Sequence, residues 1–285
     1  MKLYHKLTTL ALASLLVFFP AKSVSQEKAK EIKQKHGAAI LMYHSIDYGA
    51  GGMNVSPENF RKQLDEIHKL GYKTARLEDI IKSKVSDEKK VVLRFDDSRE
   101  SQFKYIKDKN GKNIIDPKCA VGIILDFYKQ HPDFGKSAIF FVIPHVEFKQ
   151  PEYSIHKLEF LLQQGMEIGN HGYYHYDWTK AKPEEIDKTY GKAMQRFEKL
   201  IGKDAGRIQI IAAPFGVVPR SEETKKEMNI IQWNGKKYRF IGIAYAYGSN
   251  NKVCPERNSK EFNQYALPCL EVNNTNFDSV LKKLE

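Results

Sequence analysis

From Ala38 onward the chain alternates short apolar runs with amphipathic stretches, and several of the runs stop abruptly on a charged residue, a histidine or a proline. Parallel strands buried on both faces read as unbroken Val, Ile, Leu and Phe, whereas the helices that cover them show a period near 3.6. This restricts the chain to an α/β barrel or a layered sheet. Strands are expected over 38–43, 91–95, 138–143, 166–169, 208–213, 240–245 and 267–272, about seven in all. The first helix is well marked: Ser56 is its N-cap and Pro57 opens the first turn, Phe60, Leu64 and Ile67 share one face, and Gly71 follows its end. Further helices are expected around 121–130, from 155 to a stop at Gly165, over 183–201 and from Phe277. No internal repeat or linker divides the sequence, so a single domain over 26–285 is the economical reading.

The first 25 residues read as an export signal. Lys2 and Lys6 precede an apolar run from Leu7 to Phe19, and the small residues Ala21, Ser23 and Ser25 follow it. That run is about 13 residues, short of the roughly 20 that span a bilayer, so no stable membrane span is expected after cleavage. A secreted or periplasmic protein is the consequence. The formal net charge is +11, but Lys2, Lys6 and Lys22 belong to the leader and the other cations are interspersed with acids. A solvated surface explains this better than a nucleic-acid stripe. Among the three cysteines, Cys254 and Cys269 flank one polar insertion and form the expected disulfide, leaving Cys119 over. Nothing in the sequence fixes an oligomeric state.

Chemistry-bearing residues gather just after the expected strands, where an α/β barrel builds its site. His44 follows the first strand, Asp96 and Asp97 the second, His171 and His175 a later one, and Pro214, Phe215 and Gly216 another. Adjacent carboxylates at a strand end point to opposite sides and can take different roles. Two histidines four residues apart reach one side of a helical turn, and with one carboxylate they hold a divalent ion while leaving positions open. Zinc suits such ligands, and cobalt, nickel or iron can replace it.

The ordered segments Arg94-Phe95-Asp96-Asp97-Ser98, Asn170-His171-Gly172-Tyr173-Tyr174-His175 and Ala213-Pro214-Phe215-Gly216 resemble the polysaccharide deacetylases of carbohydrate esterase family four, the NodB-homology domain. Leu41-Met42-Tyr43-His44 is similar to the N-terminal motif of the circularly permuted members, the poly-N-acetylglucosamine deacetylases. The resemblance implies a distorted (β/α) barrel, metal ligands Asp97, His171 and His175, a general base at Asp96, and an oxyanion and substrate contact at Pro214, Phe215 and Gly216. It also implies a general acid. All nine histidines occur at or before His175, so His44 takes that role, with His145 as the competing candidate.

The expected activity is release of acetate from N-acetylglucosamine units of poly-N-acetylglucosamine or peptidoglycan. The alternatives are a non-catalytic polysaccharide-binding protein on the same fold and a glycoside hydrolase; the latter needs two carboxylates from separate strands. Three departures from the family pattern stand out. Ser98 replaces a Gly, Ala212 stands where many members carry an Arg that pairs with the base, and Cys269 occupies the other Arg position. With both Arg positions empty, the base is expected to lack its usual partner. Tyr173, Tyr174, Tyr176 and Trp178 crowd the second histidine; core packing explains such a cluster more often than sugar stacking does, and Trp178 is expected to be the most exposed of the four.

Overall fold

A computed structural model describes residues 38–49, 51–82, 88–217, 228–246 and 252–285. The expected export signal, residues 1–25, lies outside the described residues. Seven parallel strands follow one another around a curled sheet: β1 (Ala39–Tyr43), β3 (Lys90–Phe95), β4 (Ala138–Val142), β5 (Glu167–Asn170), β6 (Ile210–Ala212), β7 (Gly242–Ala244) and β8 (Leu270–Glu271). β8 pairs with β1 at one edge, and the two-residue β2 (Lys73–Thr74) adds to the start of β3. Just before β8, Leu267 bridges Ala244 of β7 and exchanges hydrogen bonds with Ile243 and Tyr245. One short segment therefore touches both edges and closes the distorted (β/α) barrel.

Helices cover the outside: α1 (Pro57–Lys69), α3 (Ala120–Gln130), α4 (Ser154–Gln163), α5 (Pro183–Ile201) and α6 (Phe277–Leu284). The causes are those visible in the sequence. Ser56 accepts the Asn59 N–H at 3.2 Å to cap α1, and Phe60, Leu64 and Ile67 are fully buried beneath it. Burying side chains of this size contributes roughly 1.5–3 kcal/mol each. Gly71, at φ +81°, takes the left-handed turn that ends the segment. Ile186, Tyr190, Met194 and Phe197 form the buried stripe of α5.

Strand alternation sorts the core into two clusters. Ala39, Leu41 and Tyr43 of β1, with Val91, Leu93 and Phe95 of β3, face the helices. Ile40, Met42, Val92, Ile139, Phe141, Ile210, Ala212, Ala244 and Cys269 fill the barrel interior, joined by Leu77, Ile80 and Ile81 of α2 (Leu77–Lys82). Glu167, at the start of β5, fastens α2 to the barrel by accepting the N–H groups of Leu77 at 2.6 Å and Glu78 at 2.9 Å.

Two expectations are corrected here. Cys254 and Cys269 are free buried thiols. Cys254 pairs through its backbone with Ala38, while the Cys269 thiol turns to the Tyr245 carbonyl at 3.0 Å and the Met42 sulfur at 3.8 Å inside the barrel. Trp178 is fully buried, set edge-on against Tyr190 and Tyr245. Its neighbour Tyr174 is the exposed aromatic of that cluster. Two hairpins, Tyr105–Lys107 with Asn113–Ile115 and Ile230–Trp233 with Lys236–Arg239, were not evident from pattern. The second lies on α5 at Gly191, where an added Cβ would come within 2.2 Å of the Trp233 Cβ.

Candidate active site

The C-terminal ends of the strands deliver their polar residues to one cavity of about 360 Å³, lined by His44, Asp96, Asp97, His171, His175, Phe215 and Gly216, with Met53, Arg99 and Glu271 among the other walls. His44 and Asp96 follow β1 and β3, which are neighbours in register, Tyr43 beside Phe95. Gln102, fully buried, ties these two strand ends together: its side-chain amide donates to the carbonyls of His44 and Asp96. Sequence reasoning missed this residue, which no strand or motif marks.

Asp97 gathers the two histidines. Nε2 of His171 and Nε2 of His175 each lie 3.3 Å from the same oxygen, Oδ1, and one donor atom from each of the three residues falls within 4.8 Å of the others. The histidines do not reach this point by a helical turn, as their spacing had suggested. The segment after β5 is an irregular loop in which Gly172 (φ +77°) and His175 (φ +50°) are left-handed, and this reversal brings His175 back over His171 with ring centroids 4.8 Å apart. Asp97 (φ +77°) and Ser98 (φ +53°) are left-handed too, so the two aspartates diverge by a backbone turn and not by the strand pleat alone. Non-glycine residues held at positive φ cost energy and gather at functional sites.

The supporting contacts fix orientation. Nδ1 of His171 donates to the Ala212 carbonyl at 3.2 Å, which fixes the ring with Nε2 turned toward Asp97. Tyr190 donates to the same carbonyl at 2.7 Å. Ser98, the departure from Gly, serves the fold, because its hydroxyl accepts the Ile143 N–H at 2.7 Å and so stitches the ends of β3 and β4 together.

The expectation that Asp96 lacks an arginine partner is corrected by the structure. Arg94, fully buried, donates Nε to Asp96 Oδ1 at 2.9 Å and Nη2 to Oδ2 at 2.6 Å, while Nη1 donates to the Tyr245 carbonyl at 2.9 Å. Its guanidinium also lies over the Phe141 ring, 5.0 Å from the centroid. Arg94, near the end of β3, and Asp96, just beyond it, are two apart and therefore share the inward face. Small side chains at Ala212, Ala244 and Cys269 leave the interior volume that the guanidinium fills. The signal was in the sequence as a lone cation inside an apolar run, Val91-Val92-Leu93-Arg94-Phe95, since a buried Arg must find a carboxylate.

Electrostatics follow from these contacts. Burial pushes the Asp97 carboxyl up, but hydrogen bonds from His171 and His175 outweigh it and hold the group well below the usual carboxylate range. Burial opposes ionisation of Asp96 as well, and the Arg94 charge overcomes it, so Asp96 is lowered. Burial lowers His44, with Asp96 and Asp97 pulling the other way. Nδ1 of His44 is buried and finds no hydrogen-bond partner among the described residues.

Of the predicted residues, His44, Asp96, Asp97, His171, His175, Phe215 and Gly216 come together in one cavity, whereas Pro214 is buried and not part of its lining. His145 does not join them: it is exposed and stacks on Tyr173 at 4.8 Å. Phe215 (φ +57°) and Gly216 (φ +65°) are both left-handed, and Gly216 approaches Ala246 so closely that a Cβ would lie 2.8 Å from its backbone nitrogen. This turn stands Phe215 out, 58% exposed, with its ring against His175 at 4.7 Å.

A sequence profile described as polysaccharide deacetylase matches residues 83–231, and this chain belongs to that family. It is accordingly a hydrolase of carbon–nitrogen bonds outside peptides. Solved structures share the fold at low identity. The Streptococcus pyogenes deacetylase PplD, in complex with acetate, is 17% identical with a TM-score of 0.60 and covers 87% of this chain and 98% of its own. IcaB from Ammonifex degensii is 14% identical with a TM-score of 0.61, covering 87% and 97%. A polysaccharide deacetylase from Bacillus cereus is 19% identical with a TM-score of 0.61, covering 87% and 69%. No curated protein matches the chain by sequence.

Proposed function

We propose that the chain is an exported, metal-dependent N-deacetylase that releases acetate from N-acetylglucosamine units of an extracytoplasmic polysaccharide, poly-N-acetylglucosamine or peptidoglycan. The observation that carries this reading is the convergence of Asp97, His171 and His175 beside Asp96 and His44 in one cavity. Two imidazole nitrogens and a carboxylate oxygen are the donors that zinc prefers, and three protein ligands leave room for water and substrate; cobalt, nickel or iron can be bound by the same set. A divalent ion held there supplies Lewis acidity toward the acetyl carbonyl and lowers the pKa of water.

The chain's own residues then have separate roles. Asp96, kept ionised and aimed by Arg94, takes the proton of the attacking water as its oxygen bonds to the acetyl carbon. The backbone N–H of Phe215 faces the oxyanion of the tetrahedral intermediate, as the family resemblance implies, and the Pro214 to Gly216 turn holds it in place. His44 gives a proton to the sugar nitrogen as the C–N bond breaks, leaving acetate and a free amine. His44 lines the same cavity as Asp96 and Asp97, whose negative charges favour its protonated form. Residues 1–25 act as a cleavable export signal in this reading, and residues 26–285 as the deacetylase domain. Among the described residues, no helix is long and apolar enough to cross a membrane.

The test is acetate release from an N-acetylglucosamine oligomer by purified protein. Chelation abolishes release and zinc restores it. A protein that binds the oligomer yet releases no acetate under any of the four metals is the sugar-binding alternative, and chain shortening without acetate is the glycoside hydrolase.

A further inference from the structure

A second cavity, of about 400 Å³, adjoins the first, and Arg99 lines both. Its walls come from the loop after β1, the segment after Asp97, the turn before α3, and Lys149. Four cations line it, Arg99, Lys104, Lys118 and Lys149, against three acids. Every acid is engaged. Asp47 accepts the Gly49 N–H at 3.0 Å, Asp116 accepts the Lys118 N–H at 2.9 Å, and Glu100 pairs with Lys104 at 3.5 Å. Arg99 is likewise taken up by Asp97 at 2.9 Å. The ammonium groups of Lys118 and Lys149, by contrast, form no ion pair within 4 Å among the described residues, Lys118 acting only through space on the exposed Glu58 carboxylate.

The placement of these lysines is built. Phe148 (φ +61°) and Lys149 (φ +54°) form a left-handed pair, with Phe148 fully buried and its carbonyl accepting from the buried Lys157 ammonium at 3.2 Å. Two consecutive non-glycine residues in that region are held only where the surroundings over-determine them. Lys118 lies over the ring of Tyr48, 5.7 Å from its centroid. Tyr48 is 62% exposed and fixed by a hydrogen bond from its hydroxyl to Glu58 at 2.6 Å, so it offers a flat face of the kind that sugar rings cover.

We infer that this second cavity is a subsite for an anionic substituent, a carboxylate or phosphate, on the sugar chain whose neighbouring N-acetyl group enters the first cavity; Tyr48 carries the sugar ring, and Lys118 and Lys149 take the anion. The inference rests on the reading of the first cavity as the acetamide site. It selects acidic glycans over neutral ones and over amine-bearing ones, which the unpaired lysines repel.

The experiment compares full-length protein with a Lys118→Ala/Lys149→Ala variant and a charge-retaining Lys118→Arg/Lys149→Arg variant. The probes are three oligomers of equal length: neutral N-acetylglucosamine, a glycan alternating N-acetylglucosamine with a lactyl-carboxylate sugar, and a phosphate-substituted N-acetylglucosamine chain. Acetate release gives the preference as a ratio of kcat/KM, and a binding titration runs in parallel. One of the anionic oligomers is preferred at low salt, the preference weakens as salt screens it, and it falls at least about tenfold in the alanine variant, the loss expected for a charge-assisted contact. The arginine variant restores it. Equal preference for neutral and anionic oligomers, or a preference the alanine variant keeps, overturns the subsite. The titration separates the two readings: lysine-dependent binding of an anionic oligomer without acetate release sinks the deacetylase assignment and leaves the subsite standing, and acetate release without lysine-dependent anion preference does the reverse.

Discussion

Arg94, near the end of β3, and Asp96, just beyond it, stand two residues apart and are joined through both carboxylate oxygens, inside a barrel that buries both side chains. The pair keeps an ionised carboxylate at the foot of the cavity, with its second oxygen 4.0 Å from Nε2 of His171.

Removing the cation from that pair leaves a buried, uncompensated charge. Arg94→Met is expected to lower stability by about 3–5 kcal/mol and to reduce acetate release on the order of a hundredfold, since the base loses its orientation. Moving the cation across the barrel, as Arg94→Met with Ala212→Arg, recovers part of both. Thermal melts and turnover of the single and double variants decide it, and a single variant that melts and turns over like the parent refutes the positioning role.

Asp96→Asn keeps a side chain of the same shape but cannot take a proton. It retains metal, read by elemental analysis, and loses about 10²–10⁴-fold in kcat, the range general-base catalysis supplies. His44→Gln falls by a similar factor, whereas His145→Gln, on the exposed Tyr173 stack, stays near the parent value. The reverse ranking of the two histidine variants would reassign the acid.

Metal binding is measurable without turnover. Zinc at a hundredfold excess over its dissociation constant raises folding stability by about 2.7 kcal/mol, seen as a higher melting temperature. His175→Ala removes one ligand from a half-buried position and is expected to abolish most of that rise. A zinc-induced shift of equal size in His175→Ala places the ion elsewhere.

Glu167 makes stability depend on pH far from the active site. Burial raises its carboxyl from 4.5 to about 7, against the pull of the Leu77 and Glu78 N–H groups. Because the folded value lies above the unfolded one, its contribution is complete below pH 4.5 and is lost as pH rises through about 7. The loss amounts to about 3 kcal/mol. Glu167→Gln removes this slope, whatever its effect on absolute stability. Denaturant melts of both proteins from about pH 4 to about pH 8 test it, and parallel curves would show that the group does not titrate there.

Much of the barrel was legible because strand burial and helix amphipathicity are properties of contiguous residues. The apolar runs ending at Tyr43 and Phe95 mark where β1 and β3 stop, and His44 and Asp96, which follow them, are placed at the mouth by that stop, as His171 is after β5. The motif residues therefore announced the cavity, and of the two histidines weighed in the sequence His44 lies in it while His145 does not.

What the sequence could not state depends on distances across the barrel or on backbone reversals. The partner of Asp96 was sought at Ala212 and Cys269, but the interior space left by those small residues is filled from Arg94, a relation that exists only once the ring of strands closes at Leu267. The two cysteines and Trp178 were misjudged for a similar reason, since sequence proximity to a polar segment says nothing about which face of a closed sheet a side chain meets. Four left-handed residues, Asp97, Ser98, His175 and Phe215, decide how the Asp97, His171 and His175 cluster and the Pro214 to Gly216 turn are arranged. Local sequence sets which residues reach the mouth of the barrel. Only tertiary packing supplies the energy that holds a backbone in conformations its own residues disfavour.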